Sequence, residues 1–461
     1  MCACRYKLIL SFSFLIFLAF SCKKQINLSS DKNIVSVKLC TADTVLLDTN
    51  KVTVNIHLDT VYIQVPYGTF INKLIPFIKY TGKKIFPSDS TVQNFSTPFN
   101  YTVTAEDGTS KTFVIVVTAK PGITIVYMGS SDNNMYALNA DNGNLIWKYT
   151  ANGQFQYSSP ILANGILYAG CTDNNLYAFD PLAGKLIWKF ATNGAIESTS
   201  YYDVNTNSIF VGSDDHNFYK LDASNGSLLW KFSTWGNVST TPVVSNGIVY
   251  FGSDDSYLYA LNVSDGSVKW KYYAGNIFNS SSPVLYNGNV LIGTRDGNLF
   301  SIDMVSGKLM WLFSTGGISL ELSSPVIYKG LVYIAGWYNS SFTVPGSVYG
   351  IDAKTGIINI QTLNKLGFSC TPDIYNGNLY ISADDGNVYS VNAVNGTINW
   401  YANILPNSAI SLAYHNYVFV GGGGTHYFYA LSITDGSTIW KYPVGSNGFM
   451  TSRPCLSIFS F

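Results

Sequence analysis

From Ile123 onward the chain repeats itself, and no other feature of the sequence restricts its fold as tightly. Set in register on one aromatic position, the unit recurs at Trp147, Trp188, Trp230, Trp270, Trp311, Ile360, Trp400 and Trp440, in steps of 41, 42, 40, 41, 49, 40 and 40 residues. Each copy approximates VYxGSDDxxLYALDxxxGxLxWKF followed by SSPVVxNG. A glycine stands before the tryptophan strand every time, at Gly143, Gly184, Gly226, Gly266, Gly307, Gly356, Gly396 and Gly436. Tight connections of this kind need a positive φ, which glycine adopts without steric cost.

In the fourth copy the apolar runs are TTPVVS, IVYFGS, YLYALN and SVKWKYY, divided by Asn246-Gly247, Asp254-Asp255 and Asp265-Gly266. Four short strands per roughly 40 residues, repeated eight times, is the arithmetic of an eight-bladed β-propeller over residues 123–461. A solenoid is the rival architecture, but hairpin turns make neighbouring strands antiparallel, and the coils of a β-helix are much shorter. The register also predicts how the ring closes. The first copy, ITIVYMGSS, lacks its own SSPVV strand, whereas MTSRPCLSIFSF at the far end is a surplus one. The last strand is expected to complete the first blade.

Composition agrees with an all-β chain and removes some partners. Basic and acidic residues balance at 27 each and make up only 12% of positions, so no basic face for nucleic acid is implied. Ahead of the repeats, residues 33–120 hold the runs KVTVNIHL, DTVYIQVPYG and FNYTVTAEDGTSKTFVIVVTA. These are expected to form a small Ig-like β-sandwich, with Glu106-Asp107-Gly108 turning a hairpin. Glu106 and Asp107 read as solvated turn formers rather than a carboxylate pair. The YTVTAEDGT hairpin resembles that of an Ig-like module found at the base of Gram-negative surface lipoproteins, where it is a spacer or stalk.

At the N-terminus Arg5 and Lys7 precede an apolar run from Leu8 to Phe20, short for a bilayer span and suited to a signal peptide over residues 1–21. The run ends in LAFSC, which resembles a bacterial lipobox with Cys22 as the lipidated residue. The alternatives are an uncleaved anchor or an ordinary signal. Acyl chains on Cys22 would hold the protein at a membrane through a tether over residues 22–32. Lys23 is not the aspartate that sorting rules associate with inner-membrane retention, so the resemblance implies an outer-membrane lipoprotein of the cell envelope. Cys40, Cys171, Cys370 and Cys455 then remain. They contain no C-x-x-C or adjacent pair, and they are expected to be buried small residues.

Over about 340 residues the quoted repeats resemble the PQQ-like repeats of quinoprotein dehydrogenases and of BamB-like outer-membrane assembly lipoproteins. The resemblance implies the fold; one fold hosts unrelated functions. A quinoprotein dehydrogenase would need adjacent cysteines beside its cofactor and a calcium held by Glu, Asn and Asp, and the sequence offers no adjacent cysteines beyond the signal. Pyrroloquinoline quinone with calcium stays as the alternative to a chain without cofactor. The recurring acids Asp132, Asp173, Asp214-Asp215, Asp254-Asp255, Asp296 and Asp384-Asp385 are expected to turn the second hairpin of each blade, because a catalytic group is needed once rather than in most blades. The repeated tryptophans are expected to dock each outer strand on its neighbour.

Breaks in the pattern carry the functional candidates. Trp235 and Trp337 are off-register, and strand direction places them on one loop face with Tyr338, Glu197, His216, Arg295, Glu321, His426 and Arg453. The sixth copy has Ile360 for tryptophan and an insertion, GWYNSSFTVPGS, which is either a lid or partner hook or a tolerated surface loop. The expected function is a monomeric, lipid-anchored binding or scaffold protein that holds an envelope protein or a glycan on this face. A quinone- or metal-dependent oxidoreductase and a surface glycan-binding protein are the alternatives.

Overall fold

The computed structural model describes residues 28–41, 46–47, 52–66, 69, 71–364, 366–406, 409–445 and 451–460. Cys22, the signal segment and most of the tether lie outside the described residues. Two compact units divide the chain, one ending at Pro121 and the other running from Gly122 to Phe459.

The first unit contains β1 (Ile34–Thr41), β2 (Thr53–His57), β3 (Thr60–Val65), β4 (Leu74–Tyr80), β5 (Lys84–Phe86), β6 (Phe99–Thr104) and β7 (Ser110–Ala119). Strands β1 and β4 pair as one sheet, and the other is ordered β2-β3-β7-β6-β5, with β3 parallel to β7. Alternate residues of both sheets meet in one core, including Val37, Ile78, Val61, Tyr101, Phe113 and Ile115. The β6–β7 hairpin turns as expected: Asp107 Oδ1 accepts from Thr109 N at 2.9 Å and Gly108 takes φ 87°.

The second unit is a ring of eight four-stranded blades. In the fourth blade the strands are Val243–Ser245, Ile248–Gly252, Tyr257–Asn262 and Val268–Tyr273, all antiparallel. The three-residue first strands of neighbouring blades lie against one another, which puts them innermost. Second and third strands are apolar on consecutive residues because both of their faces are covered, as the near-continuous burial of Val249–Gly252 and Leu258–Leu261 shows. Outer strands alternate instead. Several carry lysine after the tryptophan, Lys148, Lys189, Lys231, Lys271 and Lys441, a charge that discourages pairing with another chain along that edge.

No blade has a core of its own. Among the described residues each hydrophobic cluster of this unit draws on two adjacent blades, from Tyr127 with Leu167 at the first joint to Phe419 with Val126 at the last. A tryptophan clasps most joints. Its ring covers the glycine of the next blade, where an added Cβ would meet the ring at 2.5 Å over Gly184 and at 2.9 Å over Gly266. Its Nε1 donates to a carbonyl beside that glycine: Trp147 to Pro181 at 2.8 Å, Trp188 to Ala223 at 3.1 Å, Trp270 to Met304 at 2.9 Å. The glycines therefore have two causes, a φ near 70° and the ring above them. At the sixth joint, where Ile360 stands, Thr362 Oγ1 donates to Gly396 O at 2.7 Å instead.

The same carbonyls take a tyrosine hydroxyl from the second strand, as Tyr127 does at Pro181, Tyr168 at Ala223 and Tyr250 at Met304. The third blade has Phe210 at that position, and Lys220 supplies the missing donor. Its Nζ, buried above the Phe210 ring, reaches Val263 O at 2.9 Å. Closure follows the expected route. Cys455–Ser460 pairs as the inner strand of the first blade, and Trp440 Nε1 donates to Ala140 O at 2.9 Å. All four cysteines of the described residues are free thiols. Cys40, Cys171 and Cys370 are buried and Cys455 is partly so.

Candidate functional site

The turn acids split into two kinds, which corrects their common assignment to turns. The second of each pair holds the hairpin. Asp255 Oδ1 accepts from Tyr257 N at 3.1 Å, while Oδ2 takes the Tyr259 hydroxyl at 2.7 Å and the backbone N–H of Trp235 at 3.1 Å. Asp215 repeats this with Asn217, Tyr219 and Asn193, and Asp132 joins Tyr136 to Gly445 across the closing joint. In these blades the bonds tie the hairpin to the connector that enters the blade. The first acid of the pair does something else. Asp214 and Asp254 lean over the loop face, where Asp214 Oδ1 takes Ser239 Oγ at 3.4 Å and Asp254 Oδ1 takes Asn279 N at 3.1 Å. The signal was present in the sequence, since this position changes from copy to copy: Ser131, Thr172, Asp214, Asp254, Arg295 and Asp384.

Asp214 and Asp254 act electrostatically on Glu197, and Asp254 acts on Glu321, so the four make one acidic basin of charge across the third to sixth blades. Burial pushes the Glu197 carboxyl up to about 7, and the charges of Asp214 and Asp254 add to it. Burial likewise raises Asp214 and Asp254, with His216 opposing in both cases and Arg295 opposing at Asp254. Glu321 is 5% exposed and raised by burial, against which Arg295 and side-chain hydrogen bonds with Asn279 and Ser319 act. Arg295 Nε lies 3.6 Å from Glu321 Oε1, while Oε2 is buried with no hydrogen-bond partner among the described residues. An ionised carboxylate in such a place costs folding energy. Glu197 binds its proton more tightly folded than unfolded, so its own contribution to stability is full below about pH 4.5, falls as pH rises toward 7, and is lost above it. Replacing Glu197 by Gln should raise stability by about 1–2 kcal/mol at about pH 8, after allowance for solvent screening, and by almost nothing at about pH 4. Urea unfolding at the two pH values measures this; an equal gain at both would contradict it.

The sixth-blade insertion is an ordered extension of the hairpin. Gly336 N donates to Ser347 O at 2.9 Å and Asn339 N to Val344 O at 3.0 Å, and Asn339 Oδ1 accepts from Thr343 N at 2.8 Å. Trp337 Nε1 donates to Asp384 Oδ2 of the seventh blade at 2.9 Å, and Trp337 N to Ser319 O at 2.9 Å. Trp337 meets Tyr338 and Phe342 edge-on at 5.9 and 5.2 Å between centroids, with Phe342 62% exposed. Phe342 and Asp384 complete a cluster whose other members the sequence had singled out. Trp235 is 91% exposed. Arg453 is engaged within the ring: its NH2 meets Asp373 Oδ1 at 2.6 Å, and its backbone N–H reaches Ser159 Oγ, so it ties the closing segment to the inner strand of the seventh blade and to the connector entering the second. His216 stands at φ 66° and His426 at φ 57°, both as turn residues. Among the described residues no group of three or more His, Cys, Asp or Glu is arranged to hold a metal ion.

Comparisons with known proteins agree with this division. Residues 172–345 and 325–453, together more than half of the chain, match the family described as outer membrane protein assembly factor BamB, and residues 41–118 match SGBP, N-terminal. Similar solved structures include BamB from Moraxella catarrhalis, with TM-score 0.55 and 17% identity over 66% of this chain and 94% of that one. The computationally designed Ika8 protein gives 0.52 and 13% over 67% and 98%, and a europium-containing methanol dehydrogenase 0.55 and 13% over 65% and 81%. At these identities the likeness is one of fold. No protein of curated function matches the chain.

Proposed function

Because the chain belongs to the family described as outer membrane protein assembly factor BamB, we propose that it is a non-enzymatic binding and scaffold protein of the cell envelope, holding a protein partner on the loop face. The observation that carries this is Trp235. The repeat tryptophans pack on the glycine of the next blade, yet this indole is left 91% exposed on a connector, and an exposed large aromatic on such a scaffold is a typical interface anchor. Lipidation at Cys22 would keep the protein at the outer membrane, with the first unit as spacer. A glycan is the second reading, favoured by the Trp337, Tyr338 and Phe342 rings, which offer stacking surfaces. For the oxidoreductase alternative the residues do not fit a quinone with calcium. No adjacent cysteines follow the signal segment, and no described cluster suits the ion, so no step is derived through that group.

A photo-crosslinking residue at position 235, in cells that make the protein, tests the proposal against the same residue at Val305, which is 76% exposed in a turn on the opposite face. One identified envelope protein joined to position 235 and absent at 305 is the expected result. Equal labelling at both positions, or none at 235, would overturn it.

A further inference from the structure

The acidic basin is over-supplied with negative charge. Glu197, Asp214, Asp254 and Glu321 bring four carboxyl groups together; His216 acts on Asp214 and Asp254, Arg295 acts on Asp254 and Glu321, and Arg295 lies against Glu321 at 3.6 Å. Such crowding is unusual in a chain with 12% charged residues. Glu321 adds a second and independent observation, because its Oε2 is fully buried and lacks a donor. A buried acceptor left unpaired is costly and calls for a missing donor. We infer that the basin receives an arginine or lysine side chain of the protein partner, an inference that rests on the loop face binding a protein.

The geometry favours a basic side chain over a bare cation. The carboxylates sit on different connectors and turns, and no three of them are arranged around one ion. Asp214 and Asp254 also each have one oxygen engaged, by Ser239 and Asn279. A guanidinium presents five N–H donors in a planar fork and can address separated carboxylates together, whereas a metal ion needs them to converge. Arg295 itself shows that a guanidinium is accepted beside Glu321, although its side chain is 60% exposed and leaves Oε2 unserved.

The test uses the full chain and a fluorescein-labelled peptide of alternating glycine and arginine, with a glycine-glutamine peptide of equal length as control. The arginine peptide should bind at least about tenfold more tightly than the control, a margin of roughly one charge-assisted contact. Glu321→Gln combined with Asp254→Asn should reduce it to the control's level without lowering the melting temperature. Arg295→Ala should strengthen it by unmasking Glu321. Undiminished peptide binding by the double variant, or stoichiometric calcium uptake that excludes the peptide, would overturn the inference. The crosslink from position 235 separates the two proposals. Its yield should fall in the double variant, and an undiminished adduct there would sink the basin's role while leaving the loop face as the binding surface. Loss of the adduct in the unaltered protein would sink the face itself.

Discussion

Deleting residues 451–461 should cost the propeller its cooperative unfolding and lower its melting temperature by roughly 10 °C or more. The deletion removes the inner strand Cys455–Ser460 and leaves the edge of Gly122–Gly129 without a partner. Leu456 and Phe459 leave the two cores that flank the first blade. Three further ties go with them: Thr451 Oγ1 to Gln156 O, Arg453 to Asp373, and Arg453 N to Ser159 Oγ. An open sheet edge next to uncovered apolar residues also recruits other chains, so concentration-dependent association should accompany the loss. Supplying residues 451–461 as a peptide should restore part of the lost stability. A truncated protein that melts within about 2 °C of the parent would show that the ring does not depend on this strand.

Trp440→Ala should destabilise by about 3–5 kcal/mol, and by roughly 1 kcal/mol more than Trp188→Ala. Both rings are 9% exposed and both cover a glycine of the next blade. The difference lies in what remains after truncation. At the second joint Ala223 O keeps the Tyr168 hydroxyl at 3.0 Å when the indole is gone. At the closing joint Phe419 occupies the tyrosine position and has no hydroxyl to offer, so Ala140 O loses the indole donor with no substitute from that strand. Trp235→Ala, by contrast, should change stability by less than about 0.5 kcal/mol while removing the crosslinked partner. Chemical denaturation of the three variants measures the ordering. Equal losses for Trp440→Ala and Trp188→Ala would remove the hydroxyl from the explanation.

Most of the architecture was legible because it is periodic. A blade fixes its own strand lengths and turns, so the tryptophan, the glycine and the hairpin acid recur at nearly constant spacing, and even the displaced closing strand betrays itself as a surplus copy. The site was legible only as departures from that period. Asp254 and Asp255 look alike in sequence, yet one anchors Tyr259 and the other faces Glu197, because neighbouring blades decide which side each carboxylate meets. Trp337 and Asp384 are 47 residues apart and Arg453 and Asp373 are 80 apart, distances at which no local pattern pairs them. Arg453, grouped with the loop-face candidates, also serves closure through its contact with Asp373 on an inner strand. Lys220 would read as an out-of-place charge until Phe210 is noticed, 42 residues after Tyr168 and 40 before Tyr250, the tyrosines it differs from in the adjoining blades.

The closing joint uses the same clasp as the internal ones, a tryptophan over a glycine with its nitrogen on a neighbouring carbonyl. Energetically the disc therefore has no starting point. Joining residue 461 to residue 122 by a short linker and opening the backbone in the Asn246-Gly247 turn, where an added Cβ meets nothing within 4 Å, would alter the order in which strands leave the ribosome but none of the interblade contacts. Which pair of blades meets last is a matter of synthesis, and a circular permutant would turn the present seam into an ordinary joint.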